Sequence, residues 1–361
     1  MKRFFWIATI IILLIYGCNG NKNDNKDKTT INIEKYDSKI EIYSPLSGST
    51  HVCGDEIDID LRTFENINTK PDSIEIYANE EYANTLFSLP AQTKIKTSTY
   101  PVGIISFKFI IYKEGKKDYK TVSSVLLSDI TPIKRSFKII NTYPHDEGAY
   151  TQGLVYEDGF FYEGTGDWGH SSLRKVNAKT GEIIKIYRLP DKIFGEGIAV
   201  LSDVIFQITY KAQKGYIYNK ETFEITQDFY YNFKEGWGLT KNDEYIIMSD
   251  GTSNIYFLDT IHFTEASRVQ VFNNLGPVAM LNELEYIDGK IFANLYGETQ
   301  IVIINPANGK IEEYLECKDL VPNKYKNSQR EVLNGIAYNP ANKHLYLTGK
   351  DWPVLYEIEL E

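Results

Sequence analysis

Five stretches of this chain open in the same way, and that repetition limits the fold more than any other feature. Gln152-Gly-Leu, Glu196-Gly-Ile, Trp237-Gly-Leu, Asn282-Glu-Leu and Asn334-Gly-Ile each set a polar or aromatic residue before Gly or Glu, then an aliphatic residue that starts an alternating pattern. They recur roughly every 45 residues, the length of a four-stranded propeller blade. Within each unit the apolar residues follow a period of two. The turn pairs Asp158-Gly159, Thr180-Gly181, Asp288-Gly289 and Asn308-Gly309 separate successive strands. Third strands are legible at Leu173-Arg-Lys-Val, Gly215-Tyr-Ile-Tyr, Asn254-Ile-Tyr-Phe-Leu and Ile301-Val-Ile-Ile. The last unit reaches Glu361 with three strands, and Ser136-Phe-Lys-Ile-Ile140 is an orphan strand upstream of the first unit. Pairing the orphan with the last unit closes a ring and removes an exposed sheet edge. A solenoid would leave both observations unexplained. The expectation is an all-β chain with a five-bladed β-propeller over residues 133–361.

The preceding segment has its own pattern. Ile40-Glu-Ile-Tyr, Ile57-Asp-Ile-Asp-Leu, Ile74-Glu-Ile-Tyr, Ile104 to Ile111 and Thr121 to Leu127 read as strands, broken at Pro45, Gly48, Pro71 and Pro101. Short strands over about a hundred residues fit a small immunoglobulin-like β-sandwich, assigned to 36–132 with a boundary at Thr131-Pro132. An aromatic share of 14% supports the β reading, because rings suit half-buried pleated surfaces. Before the sandwich, Lys2 and Arg3 lead an apolar run from Phe4 to Ile15, ending in Ile15-Tyr-Gly-Cys18. That run is shorter than the ~20 residues a spanning helix needs. It resembles a lipoprotein signal over 1–17, with Cys18 as the lipidated residue; the other reading is a plain secretory signal. Residues 18–35, rich in Asn, Lys and Asp, are expected to form a disordered tether. The mature chain is then expected to be exported and lipid-anchored in a bacterial cell envelope, facing periplasm or surface.

Composition excludes some functions. A formal charge of -10 lacks the basic footprint of a nucleic-acid partner. Three cysteines, Cys18, Cys53 and Cys317, make no disulfide framework, and no Cys-x-x-Cys or His-x-x-x-His pair marks a zinc site. His51 and Cys53 form no ligand pair, and the five histidines form no cluster.

The leading strand of each propeller blade lines the central channel, so Gln152, Glu196, Trp237, Asn282 and Asn334 are expected at one mouth. Just past the second strands, Tyr210, Tyr296 and Lys350 return to the same face. Together they describe a pocket with apolar sides and a few convergent polar groups. Other readings stay open at this point. Polar rings in channels often hold only water, Trp237 and Tyr296 suit a core, and Lys350 has Asp351 beside it as an ion-pair partner. Glu163 either lines the channel or supports a blade turn, and His145 anchors the approach to the first blade rather than acting as a base.

A set of motifs now occurs in order: Tyr143-Pro-His-Asp, Tyr150-Thr-Gln-Gly-Leu, Gly166 followed by Ser171-Ser-Leu-Arg, Phe194-Gly-Glu-Gly and Glu235-Gly-Trp-Gly-Leu-Thr. Ser249-Asp-Gly, Leu281-Asn-Glu-Leu-Glu, Ala293-Asn, Leu333-Asn-Gly-Ile-Ala and Thr348-Gly-Lys-Asp-Trp-Pro complete it. From Tyr143 to Leu360 the chain resembles the plant and bacterial glutaminyl-peptide cyclotransferase (glutamine cyclotransferase) family. The resemblance implies a five-bladed propeller that converts N-terminal glutamine of peptides or proteins into pyroglutamate with loss of ammonia and no required cofactor. It implies Glu196 as proton shuttle, Gln152, Asn282 and Lys350 at positions that bind polar groups of the substrate, and Trp237 as pocket wall. Lys350 or an amide donor would stabilise the developing oxyanion. Tyr210 and Tyr296 stand where relatives often carry Trp, which bears on pocket size and residue preference.

Two rival classes are distinguishable. A metal-dependent, lactonase-like hydrolase would use Glu196, Asn282 and Asn334 as oxygen ligands for Ca²⁺, and a structural Ca²⁺ is compatible with the sequence although no metal site is expected. A non-catalytic surface lipoprotein would use the propeller face and the sandwich to hold a partner.

Overall fold

Alternation of branched or aromatic residues with polar ones, punctuated by Gly and Asn turns, produces strands almost throughout. The computed structural model describes residues 37–63 and 70–361, and among them the only helices are two short 3-10 turns, Lys318–Leu320 and Asn323–Tyr325. The expected lipidation residue Cys18, the expected signal over 1–17 and the expected tether over 18–35 lie outside the described residues.

The N-terminal part holds two sheets. Ile40–Ser44, Glu56–Thr63 and Ala91–Lys96 form one. Thr50–Val52, Lys116–Leu127, Gly103–Lys113, Ser73–Ala78 and Glu81–Leu86 form the other, in that spatial order. Their inward residues share one core, with Ile57, Ile59 and Leu61 from the first sheet and Ile74, Ile76, Phe107 and Phe109 from the second. Thr50–Val52, Glu81–Leu86 and Ala91–Lys96 were not legible as strands, because their alternation is mostly polar. Phe272, from the C-terminal part, plugs into this core. The ion pair Lys310–Asp129 (2.7 Å) and the bond from Val102 N to Asn308 O (3.0 Å) lie at the same junction. Cys53 and Cys317 are free and buried.

The C-terminal part contains five sheets, each an up-and-down run. Their leading strands are Thr151–Glu157, Gly195–Leu201, Leu239–Lys241, Leu281–Ile287 and Leu333–Asn339. Each leading strand touches the next, and the fifth touches the first. In the fifth sheet the outermost strand is Phe137–Pro144, antiparallel to Val354–Leu360, so the expected orphan strand takes that place and runs four residues further, to Pro144. Ile133–Arg135 adds a parallel fifth strand to the fourth sheet beside Ile311–Glu316. Its three residues carry too little pattern to be read as a strand.

Candidate active site

Four of the five repeat residues occupy the second position of their leading strand: Gln152, Glu196, Asn282 and Asn334. At each one the pairing with the second strand slips, between Thr151 and Gly153, Gly195 and Ile198, Leu281 and Leu284, and Leu333 and Ile336. Such bulges re-aim a side chain and are common beside active sites. Trp237 stands two residues before the short leading strand Leu239–Lys241. The glycine that follows is a packing requirement. A Cβ on Gly153 would lie 2.5 Å from the Ile198 nitrogen, and one on Gly197 would lie 2.4 Å from that of Leu239. Glu283 replaces this glycine in the fourth unit. Its buried carboxyl accepts bonds from Leu154 N (3.1 Å) and Ile336 N (2.8 Å), fastening three leading strands together.

Gln152, Glu196, Tyr210, Trp237, Asn282, Tyr296 and Lys350 line one cavity of about 180 Å³, joined by Tyr150 and Phe194. In the sequence the last two stand only inside motifs and carry no mark of their own as site residues. The missed signal was the strand period, since Tyr150 and Phe194 precede Gln152 and Glu196 by two and share their face. Asn334 does not line the cavity. It is fully buried behind Gln152, and its Nδ2 donates to Thr151 O (2.9 Å) and Gln152 Oε1 (3.2 Å). It thereby orients the Gln152 amide, and it is set apart from Glu196 and Asn282, with which the calcium reading grouped it. Among the described residues no three His, Cys, Asp or Glu side chains converge as a metal-ligand group.

The aromatic wall is built of edge and tilted contacts. Trp237 meets Tyr296 at 5.6 Å in a T-shape, and Phe194 meets Tyr210 at 5.7 Å and Tyr150 at 6.2 Å. The Trp237 indole N–H donates to Glu235 (3.0 Å), and the ring covers Gly251, where a Cβ would lie 2.6 Å away. Lys350 sits between two phenol faces, its Nζ 4.7 Å from the Tyr150 centroid and 4.9 Å from that of Tyr296. Its expected alternative partner, Asp351, faces Arg330 at 3.8 Å instead.

Glu196 is buried, and no hydrogen bond from the described residues reaches its carboxyl. Burial pushes it well above the ordinary carboxylate range; Lys350 pulls the other way and Glu235 adds to the rise. Burial also lowers Lys350, to about 8, against the opposing pull of Glu196 and with a further push from Arg330. The pocket thus holds a carboxyl and an amine whose ordinary values have been driven towards each other. Such opposed shifts in a cleft mark acid–base sites. The buried Oδ1 of Asn282 also has no partner among the described residues, so this amide is not consumed by internal bonding.

A profile of the family described as glutamine cyclotransferase matches residues 118–360. The match starts inside the strand Lys116–Leu127, so most of the two N-terminal sheets lie outside it. A glutaminyl-peptide cyclotransferase of Arabidopsis thaliana is 33% identical over 236 residues, which is 64% of this chain and 74% of that protein. The crystal structure of Myxococcus xanthus glutaminyl cyclase aligns with a TM-score of 0.58 at 32% identity, covering 64% of this chain and 99% of that one.

Proposed function

This chain belongs to the glutamine cyclotransferase family, and from that premise we propose that it cyclises N-terminal glutamine of peptides or proteins to pyroglutamate with release of ammonia. The observation that carries the reading is the Glu196 carboxyl. It is buried, unbonded by the described residues, raised by its surroundings, and lines the same cavity as the Lys350 ammonium.

The reaction needs one group that takes a proton and returns it. The substrate α-amine, with an ordinary value of about 7.7–8.0, is partly protonated near neutrality and must present its lone pair. Glu196 as carboxylate accepts the amine proton while nitrogen attacks the γ-carboxamide carbon. The new N–C bond closes a five-membered ring, and the carbonyl electrons move onto oxygen. Glu196 then delivers the proton to the amide nitrogen, the old C–N bond breaks, and ammonia leaves. Both nitrogens sit on one small ring, so a single carboxyl reaches both; a positioned proton shuttle contributes about 10²- to 10⁴-fold. Lys350 and the Gln152 and Asn282 amides surround the place where oxygen gains charge, and the aromatic wall keeps the side chain curled for attack.

The same proposal extends to architecture. We read the five C-terminal sheets as blades of a five-bladed propeller over 133–361, supported by the cyclic contacts of their leading strands and by Phe137–Pro144 lying against Val354–Leu360. We read 36–132 as an immunoglobulin-like sandwich on the strength of two sheets around one core. Export and anchoring through Cys18 rest on the residue pattern of the first 18 positions alone.

Glu196→Gln tests the function. Ammonia release from a Gln-initiated peptide should fall at least a hundredfold while the far-ultraviolet spectrum and melting temperature hold. Near-normal turnover in that variant would remove Glu196 from the mechanism.

A further inference from the structure

Behind the pocket lies a second pair of ionisable groups that the chemistry above does not use. His145 follows the strand Phe137–Pro144, and Glu163 belongs to Phe160–Thr165. Their side chains are 6% and 2% exposed, and neither lines the cavity. Both imidazole nitrogens face acceptors: Nδ1 lies 2.7 Å from Trp352 O, and Nε2 lies 2.9 Å from Glu163 Oε1. A carbonyl oxygen cannot donate, so Nδ1 carries a hydrogen. Glu163 Oε1 already accepts from the Thr151 hydroxyl (2.8 Å), which suits a carboxylate oxygen and leaves Nε2 as a second donor.

The pair holds three pieces of the pocket in one arrangement. Trp352, completely buried, belongs to the turn that carries Lys350, and its indole donates to Glu331 O (2.9 Å). That turn is fastened by Lys350 N to Val332 O (2.9 Å), Asp351 N to Ala149 O (2.8 Å) and His145 N to Pro353 O (3.1 Å). The segment from His145 leads to Tyr150, one of the rings on which the Lys350 ammonium rests. Arg174 clamps it from the other side, through Asp146 (2.8 Å) and Gly148 O (3.1 Å). Thr151, the third member, precedes Gln152 directly.

We propose that the buried His145–Glu163 imidazolium–carboxylate pair is a positioning device, which sets Lys350, Tyr150 and Gln152 around the substrate without touching it. The charged state agrees with the surroundings. Burial opposes the imidazolium and Arg174 adds to that, but the Glu163 charge and hydrogen bond outweigh both and raise His145. Glu163 is lowered in turn, its burial outweighed by His145, Arg174 and Thr151.

The inference rests on the cyclisation reading for its kinetic test and is independent of it in its spectroscopic one. In the wild-type chain, ¹⁵N resonances of the His145 ring at pH 7 should show both nitrogens protonated; a neutral ring overturns the proposal whatever the enzyme turns over. In Glu163→Gln, which keeps the shape and loses the charge, kcat should fall at least tenfold with KM changed less than about threefold. The alkaline limb should also move. Lys350 is now faced by Glu196, Arg330, Asp351, Tyr150 and Tyr296 in a dry site that holds it at about 8. A loosened turn admits water and lets Lys350 rise, shifting that limb to higher pH. A variant that only lost stability would keep the limb where it was. Thr151→Val removes one donor to Glu163 and should show the same limb shift at smaller amplitude, which covers the case of Glu163→Gln failing to fold. An unmoved limb and unchanged kcat in whichever of the two variants folds overturns the proposal, as does absence of the shift in both. Complete lack of Gln-peptide turnover by the wild type would instead refute the cyclisation reading.

Discussion

Replacing Lys350 by Met separates the electrostatic role of this side chain from its packing. The ammonium lies between Tyr150 and Tyr296, at 4.7 and 4.9 Å from their centroids. Each such contact is worth about 0.5–2 kcal/mol. Those gains do not cover the cost of drying the charge, because Lys350 still sits at about 8 against an ordinary 10.5. At about 1.4 kcal/mol per unit, the charged form is disfavoured in the folded chain by roughly 3 kcal/mol. For a base whose folded value is depressed, that cost is fully present below about pH 8 and is relieved as pH rises towards 10.5. Met fills a similar volume without it, so Lys350→Met should melt no lower than wild type at pH 7. Catalysis should move the other way. Loss of one charged donor beside the developing oxyanion costs about 10²- to 10³-fold in kcat. Glu196 loses the neighbour that pulls it down, so the acid limb of the rate profile should shift to higher pH. Ammonia release between pH 5 and 10, with melting curves in the same buffers, gives all three readings. A variant with kcat within threefold of wild type, or with an unmoved acid limb, would refute the assignment of Lys350 to the reaction.

Two further outcomes are expected. Glu285 accepts from Thr240 (3.2 Å) and Tyr338 N (3.2 Å), and burial lifts it to about 8. Its folded value lies above the unfolded one, so its contribution to stability is whole below about pH 4.5 and is lost as pH rises through about 8. Glu285→Gln should therefore flatten the fall in melting temperature between pH 5 and 8.5; an unchanged slope means that this carboxyl titrates normally. For the N-terminus, metabolic labelling with a fatty-acid analogue should mark the wild-type chain and not Cys18→Ser. Equal labelling, or none in either, removes the lipid anchor from the proposal.

What could be read from the chain and what could not divide along a physical line. The five leading strands were legible because a period of two and a repeat of roughly 45 residues are local properties, visible without knowing what packs where. Glu196 stood out in the same local way, as the one ionised member among Gln152, Trp237, Asn282 and Asn334. The sense of its neighbours is not local. Asn334 reads like a fifth pocket residue until the fifth leading strand meets the first, when its amide turns to Thr151 and Gln152, 183 and 182 positions away. The anchor for the Lys350 turn is likewise remote, since His145 reaches Trp352 across 207 residues. Lys350 and Asp351 look like an ion pair in sequence and are not one, because the turn sends one side chain between two tyrosines and the other towards Arg330. A carboxyl at a strand start can be found by its spacing. The group that makes it useful is placed by the contact between the two ends of the repeat, so substitutions along that seam, at His145, Glu163, Thr151 or Asn334, should alter rate and pH dependence without altering which residues line the cavity.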